Sequence, residues 1–198
     1  MKFTYPALTF CLFRYARFLK TYEGETRLTL NDIWKMLLEV VGKISGLDCD
    51  LGLRLNLQTV LCMNELDQEK AYEDISYEFA SQALVIYQDE LSDSEHKLIA
   101  IKIIAGTFQR LSCFDEDNYD TLITNATQYA AKLLKKPDQC NGVVMCTHMF
   151  HNDYMQNERR VVECLKKALK LADICVSNPK NVILFVMILN AYLYYLEK

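Results

Sequence analysis

The stretch KKPDQCNGVVMCTHMFHND, residues 135–153, holds Cys140, Cys146, His148 and His151 within twelve positions. Thiolate sulfur and imidazole nitrogen are the donors of zinc sites, and a thiol beside an imidazole is the pair used by cysteine nucleophiles. Either chemistry requires the groups to converge. Structural zinc sites use pairs spaced C-x₂₋₄-C and H-x₃₋₅-H; neither spacing occurs here. On a helix running from about Pro137 to Phe150, each residue turns by ~100°, so Cys146 and His148 point ~200° apart. Only His148 and His151 could share a face. The pattern therefore argues against a metal centre and against a Cys–His nucleophile, and Cys140 and Cys146 read as packing residues. His148 reads either as a half-buried, hydrogen-bonded histidine or as a functional one. Met149 and Phe150 are either core or an exposed apolar rim for a partner, and spacing leaves both open.

Other catalytic signatures are missing from the sequence. There is no G-x-x-x-x-G-K-[ST] or G-x-G-x-x-G phosphate loop and no H-E-x-x-H. The acidic run DEDNYD (115–120) lacks the glycine and closing glutamate of a calcium loop and is expected to feed a helix N-terminus. No catalytic residue, metal ligand or cofactor is expected. The competing reading is a metal-dependent or redox enzyme built on residues 140–151. A tetratricopeptide-type binder is weaker still, because W-x₂-L-G-x₂-Y is absent.

The elements that would carry these residues read as helix after helix. Three prolines and six glycines in 198 residues leave little to break long helices. Pro6 suits a first turn, and TLND (29–32) resembles an N-cap leading to Ile33, Trp34, Leu37, Leu38 and Val41. Leu51, Leu53, Leu55 and Leu57 alternate as in a strand, yet Leu53, Leu57, Val60 and Leu61 also fit a helix face. Helix is preferred, since no partner strand exists elsewhere. A fourth helix is expected over about Tyr72–Glu90. Ser92 with Glu95 forms the capping-box pattern S-x-x-E, with Asp93 adding charge to the first turn. Leu122, Ala126, Tyr129 and Leu133 mark a sixth helix. Val161, Leu165, Ala168 and Ala172 mark an eighth, with Glu163, Lys166, Lys167 and Lys170 facing water. Asn178–Pro179 caps a ninth, VILFVMILNAYLYYL, expected to be a buried helix whose Tyr192, Tyr194 and Tyr195 pack against a following helix.

Helix pairs thus begin near residues 6, 50, 93 and 137, the period of HEAT and armadillo arrays. The expectation is an all-α, HEAT/armadillo-like helical-repeat solenoid of about nine antiparallel helices, one domain over residues 1–198, cut from a longer chain. Stacked pairs supply the core that no single pair can bury.

Hydrophobic residues are 51% and charged residues 24% of the chain, as in a folded protein, and the net charge is −4 with no basic block. Nucleic-acid binding by charge and direct attachment to anionic membranes are not expected. The eight cysteines form no C-x-x-C and mostly lie in apolar runs, which predicts reduced thiols in a cytosolic protein. Arg14 and Arg17 interrupt the apolar N-terminal run and no small-residue cleavage site follows, so no signal peptide is expected.

At SQALVIYQDELSDSEHKLIAIKIIAGTFQRLSCF, AAKLLKKPDQ, CTHMF and RRVVECLKKALKLAD the sequence resembles the vacuolar protein sorting-associated protein 35 family, the large α-solenoid subunit of retromer. The resemblance is to the C-terminal half, strongest from about Tyr77 to Lys198. It implies a non-catalytic scaffold of the retromer coat, which sorts transmembrane cargo from endosomes, cytoplasmic and peripheral on membranes through its partners. It also implies that the solenoid wraps the small retromer subunit, which has a metallophosphoesterase fold. His148 matches the family's contact histidine, which makes His148, Met149, Phe150 and His151 the expected partner-binding stretch. Asp93 matches the aspartate at the family's SDS helix start, so Ser92, Asp93 and Glu95 are expected to be a structural cap. The family's motif for its arrestin-like partner is absent here.

Overall fold

The computed structural model describes residues 3–22, 24, 26–66 and 69–197. Among the described residues there are nine α-helices and no strand. They are α1 (Thr4–Thr21), α2 (Leu30–Ser45), α3 (Cys49–Leu66), α4 (Glu73–Val85), α5 (Ser94–Phe108), α6 (Glu116–Ala131), α7 (Lys136–Cys146), α8 (Glu158–Ile174) and α9 (Val182–Leu196). The odd-numbered helices up to α7 begin at Thr4, Cys49, Ser94 and Lys136, close to the expected repeat starts. The helical-repeat class is thus as expected.

The helices fall into two compact units, Met1–Ser92 with Leu111–Tyr119, and Asp93–Arg110 with Asp120–Lys198. In the first, α2 is held by one apolar face. Ile33, Trp34, Leu37 and Val41 recur at helical spacing and are all fully buried. Each such side chain contributes roughly 1.5–3 kcal/mol of transfer free energy. Thr29 and Asp32 close a reciprocal capping box at its start. The leucine alternation of α3 resolves as helix. Leu53, Leu55 and Leu57 are all buried because α3 lies between α2 and α4, with Leu51 less covered. Gly52 allows α3 to approach Ser45 closely; a Cβ there would sit 2.5 Å from the Ser45 Cα. The last turn of the fourth helix widens into a π-helix over Ile86–Glu90. The segment 111–118 is tied down by side chains of Asn64, Lys70 and Glu73, Lys70 donating to the Phe114 carbonyl. Asn64 Oδ1 accepts from the Ser112 and Cys113 amides at 2.7 and 3.0 Å, and Glu73 Oε1 accepts from the Asp115 amide at 2.7 Å.

In the second unit, α5 is capped one residue later than the sequence pattern suggests. Asp93, not Ser92, is the N-cap; its Oδ1 accepts from the Glu95 and His96 amides at 2.9 and 3.0 Å. Glu95 therefore supplies a backbone donor rather than a capping-box side chain. A carboxylate makes the stronger, charge-assisted bond to those amides. The pair α7–α8 is antiparallel, since Cys140 meets Ala168 while Phe150, just past the end of α7, meets Arg160 at the start of α8. Val161, Leu165, Ala168 and Ala172 of α8 are buried as expected, and Lys166, Lys167 and Lys170 are exposed.

The ninth helix departs from expectation. Asn178 caps the turn at Pro179, as read, but α9 buries only the narrow stripe Leu184, Ile188 and Ala191. Val182, Ile183, Leu189, Leu193 and Leu196 are exposed. Apolar composition signals a demand for cover without saying which element meets it. Residues Pro179–Leu196 are long and apolar enough to cross a membrane by length and composition.

Candidate functional site

The helix bearing the Cys/His stretch ends earlier than the sequence suggests. The α-helix α7 stops at Cys146, and Thr147–Met149 form one turn of 3₁₀-helix. The four candidate groups then go to different surroundings. Cys140 is buried, with Sγ donating to the Ala168 carbonyl at 3.4 Å. Cys146 is fully buried and hydrogen-bonded to Thr127 of α6. Burial pushes the Cys140 thiol up to about 11 and the Cys146 thiol up to about 12. Nucleophiles and metal ligands act as thiolates, so both environments oppose the chemistry their sequence spacing raised. Among the described residues no group of three or more His, Cys, Asp or Glu side chains is placed to hold a metal. All eight cysteines are free thiols, and six are buried.

Met149 and Phe150 are core, with 0% exposure each. Of the two alternatives open at these positions, core is the one realised, and neither side chain offers surface to a partner. Phe150 is closed off by Arg160, whose guanidinium carbon lies 4.5 Å from the ring centroid. The same guanidinium donates to Asp120 Oδ1 at 2.5 Å and to Thr124 Oγ1 at 2.8 Å.

His148 and His151 do come together, at Tyr195 on α9. Both are half-buried. The His148 ring centroid lies 5.7 Å from that of Tyr195 and 5.5 Å from that of Tyr194. His151 meets Tyr195 edge to face at 5.4 Å. The Tyr195 hydroxyl donates to Thr147 Oγ1 at 2.8 Å and lies 3.0 Å from His148 Nδ1. Two of the three tyrosines expected to await another helix therefore pack back on the histidines. Burial pushes the Tyr195 hydroxyl up to about 12, against the pull of the Thr147 hydrogen bond.

The short loop after this turn is closed on itself. Asn152 Oδ1 accepts from the Tyr154 and Met155 amides at 2.9 Å each, and the Asn157 amide donates to the Phe150 carbonyl at 2.8 Å. His151 and Gln156 form an isolated antiparallel bridge. Beside it opens a cleft of ≈ 370 Å³ whose wall includes His151, Asp153, Glu158, Val162, Tyr192 and Tyr195. Sequence reasoning found the histidines and named Tyr195 only as a residue awaiting a further helix; it missed Thr147 and Arg160. The Tyr195 contacts span 47 and 48 positions, beyond the reach of any local spacing rule.

The described residues thus form an all-α helical-repeat arrangement with two half-buried histidines on a tyrosine-lined edge and with six of its eight thiols buried. A family model described as vacuolar protein sorting-associated protein 35 matches residues 1–198. The chain belongs to that family. It is 38% identical over 214 residues to vacuolar protein sorting-associated protein 35A of Arabidopsis thaliana, covering 100% of this chain and 27% of the relative. It is 40% identical over 154 residues to vacuolar protein sorting-associated protein 35 of Schizosaccharomyces pombe, covering 74% of this chain and 18% of the relative. The Dictyostelium discoideum protein of the same name is 27% identical over 100% of this chain and 26% of its own length. The chain thus spans about a quarter of the length of the curated relatives that it matches end to end.

Proposed function

We propose that this chain is a scaffold segment of the retromer coat in endosomal protein transport, and that it binds the small metallophosphoesterase-fold subunit along the edge carrying His148 and His151. Family membership supports the scaffold role. The observation that carries the binding edge is the meeting of the two half-buried histidines at Tyr195 beside an open cleft. Aromatic, partly exposed groups on a rigid framework are the anchors that interfaces favour. Met149 and Phe150 act from beneath, as the packed floor under the turn. An interface of ordinary size would bury roughly 1,200–2,000 Å² in total. The chain performs no catalysis in this reading, in which Cys140 and Cys146 are buried packing thiols whose pKa values burial pushes up. It works in the cytoplasm, peripheral on endosomal membranes through its partners, with neither nucleic-acid binding nor membrane insertion. The arrestin-like subunit engages a part of the intact scaffold outside this sequence.

The test is a calorimetric titration of the chain with the small subunit, using wild type and His148→Arg. The expected outcome is at least tenfold weaker binding by the variant with unchanged helicity and melting temperature. Equal affinities would overturn the assignment of the edge.

A further inference from the structure

The cleft beside His151 is walled by groups that the local structure leaves unused. Two carboxylates, Asp153 and Glu158, line it, and among the described residues no lysine or arginine does. Neither carboxylate is needed by the element that carries it. The loop is closed by Asn152, whose Oδ1 takes the Tyr154 and Met155 amides. The first turn of α8 is capped by Asn157, whose Oδ1 accepts from the Arg160 amide at 3.2 Å. The two arginines that follow Glu158 are engaged elsewhere, Arg159 with Glu163 at 3.1 Å and Arg160 with Asp120 and Thr124. Asp153 and Glu158 are both exposed and bring negative charge to the cleft with no cation beside them among its described lining residues. Below them Val161 and Leu165 are apolar and buried. The remaining wall is aromatic. Tyr192 is 46% exposed, and Tyr195 is fixed by the contacts of its ring with both histidines and of its hydroxyl with Thr147. A volume of ≈ 370 Å³ lies at the small end of ligand-sized pockets and suits one inserted side chain rather than a helix.

Carboxylates, a tyrosine face and an apolar floor together are the complement of one side chain. A guanidinium is planar and always charged, takes carboxylates in a fork and stacks on aromatic rings, while its methylene stem covers apolar surface. An ammonium is a compact, strongly hydrated point charge that gains less from ring walls. We propose that the cleft receives an arginine side chain of the small metallophosphoesterase-fold retromer subunit, with the guanidinium facing Asp153 and Glu158 against Tyr192 and the stem over Val161 and Leu165. The assignment rests on the reading of this edge as the one that binds that subunit. The loop and the Tyr195 ring that shape the cleft are tied in place within the chain alone, so insertion needs little ordering on this side.

Calorimetric titration of the 198-residue chain with the small subunit tests the proposal. Asp153→Asn combined with Glu158→Gln removes both charges and keeps the shape, and is expected to weaken binding about tenfold at unchanged helicity. Tyr192→Leu keeps the charges and removes the ring, and is expected to weaken binding about threefold. Wild-type affinity should fall as salt is raised, and the double variant should lose most of that dependence. Phenylglyoxal, which modifies arginine, identifies the occupant. With both complexes saturated, one arginine of the small subunit should be protected by the wild-type chain and modified in the complex of the double variant. No such arginine, or a lysine that shows this difference toward an acylating reagent, overturns the proposal. If His148→Arg weakens binding while the cleft variants bind like wild type, the cleft assignment fails and the reading of the edge stands. If the cleft variants weaken binding and His148→Arg does not, the cleft assignment stands and His148 is outside the contact. If all bind like wild type, both fail.

Discussion

Arg160 lies over Phe150 with its guanidinium carbon 4.5 Å from the ring centroid, covering one side of an aromatic that is fully buried. The Arg160 that covers the ring is itself held by Asp120 and Thr124. Arg160→Ala is expected to destabilise the fold by about 1–2 kcal/mol, summing a part-buried cation–π contact with a pair whose Asp120 partner is largely solvent-screened. Urea unfolding measures the change. Enhanced binding of an apolar dye would report the newly uncovered ring. A variant as stable as wild type would mean that Phe150 is held by packing alone.

Asp93 supplies a second check, through pH. Bonds from the His96 and Glu95 amides hold its carboxyl below its ordinary value of 3.8, and the Thr29 backbone and hydroxyl do the same for Asp32. A carboxyl lowered on folding stabilises the folded state above 3.8 and loses that contribution as pH falls through the folded value. Thermal melts of wild type should therefore weaken on the acid side of 3.8. Asp93→Ala should lower the melting temperature at neutral pH by roughly a few degrees, whereas Asp93→Asn, an equally good cap, should change it little and flatten the acid-side slope. Equal losses in the two variants would show that charge rather than capping geometry matters.

Two glycines should respond in opposite senses to alanine. At Gly52 an added Cβ would meet the Ser45 backbone, so Gly52→Ala must push α2 from α3 and should cost about 1–3 kcal/mol. At Gly106, within α5, nothing lies within 4 Å of the built Cβ. Gly106→Ala should stabilise by about 0.5–1 kcal/mol through helix propensity. Chemical denaturation of both variants decides the matter, and a stabilising Gly52→Ala would contradict the close approach of α2 and α3.

The thiols allow a kinetic test of the core assignment. Cys11 is exposed, while Cys62, Cys140 and Cys146 are buried, with Cys62 and Cys140 pushed up to about 11 and Cys146 to about 12. Timed alkylation at neutral pH, read by peptide mass, should modify Cys11 first and leave Cys140 and Cys146 untouched until denaturant is added. Rapid labelling of Cys146 in the folded chain would reopen the nucleophile reading.

Much of the fold could be read from local pattern. The period of α2 and α8, the Thr29–Asp32 box and the Asn178–Pro179 start are all encoded within a few residues of where they act. Competition between neighbours blurred the start of α5, where Ser92 fitted a motif but Asp93 offered the stronger acceptor. The site was legible only as residue types. His148 and His151 could be named from the sequence, but the partners that orient them arrive from α9, and the side chain that covers Phe150 arrives from α8. The exposure of α9 was misjudged for a related reason: apolar content fixes how much a helix gains from cover, not where its neighbours stand.

Amide hydrogen exchange of the chain, alone and saturated with the small metallophosphoesterase-fold retromer subunit, tests the binding edge most directly. The proposed edge requires slowed exchange in residues 147–157 and in the C-terminal turns of α9 around Tyr195, with the α2–α3 pair unchanged. Protection confined to α1–α4, or no protection at saturating partner, would contradict it.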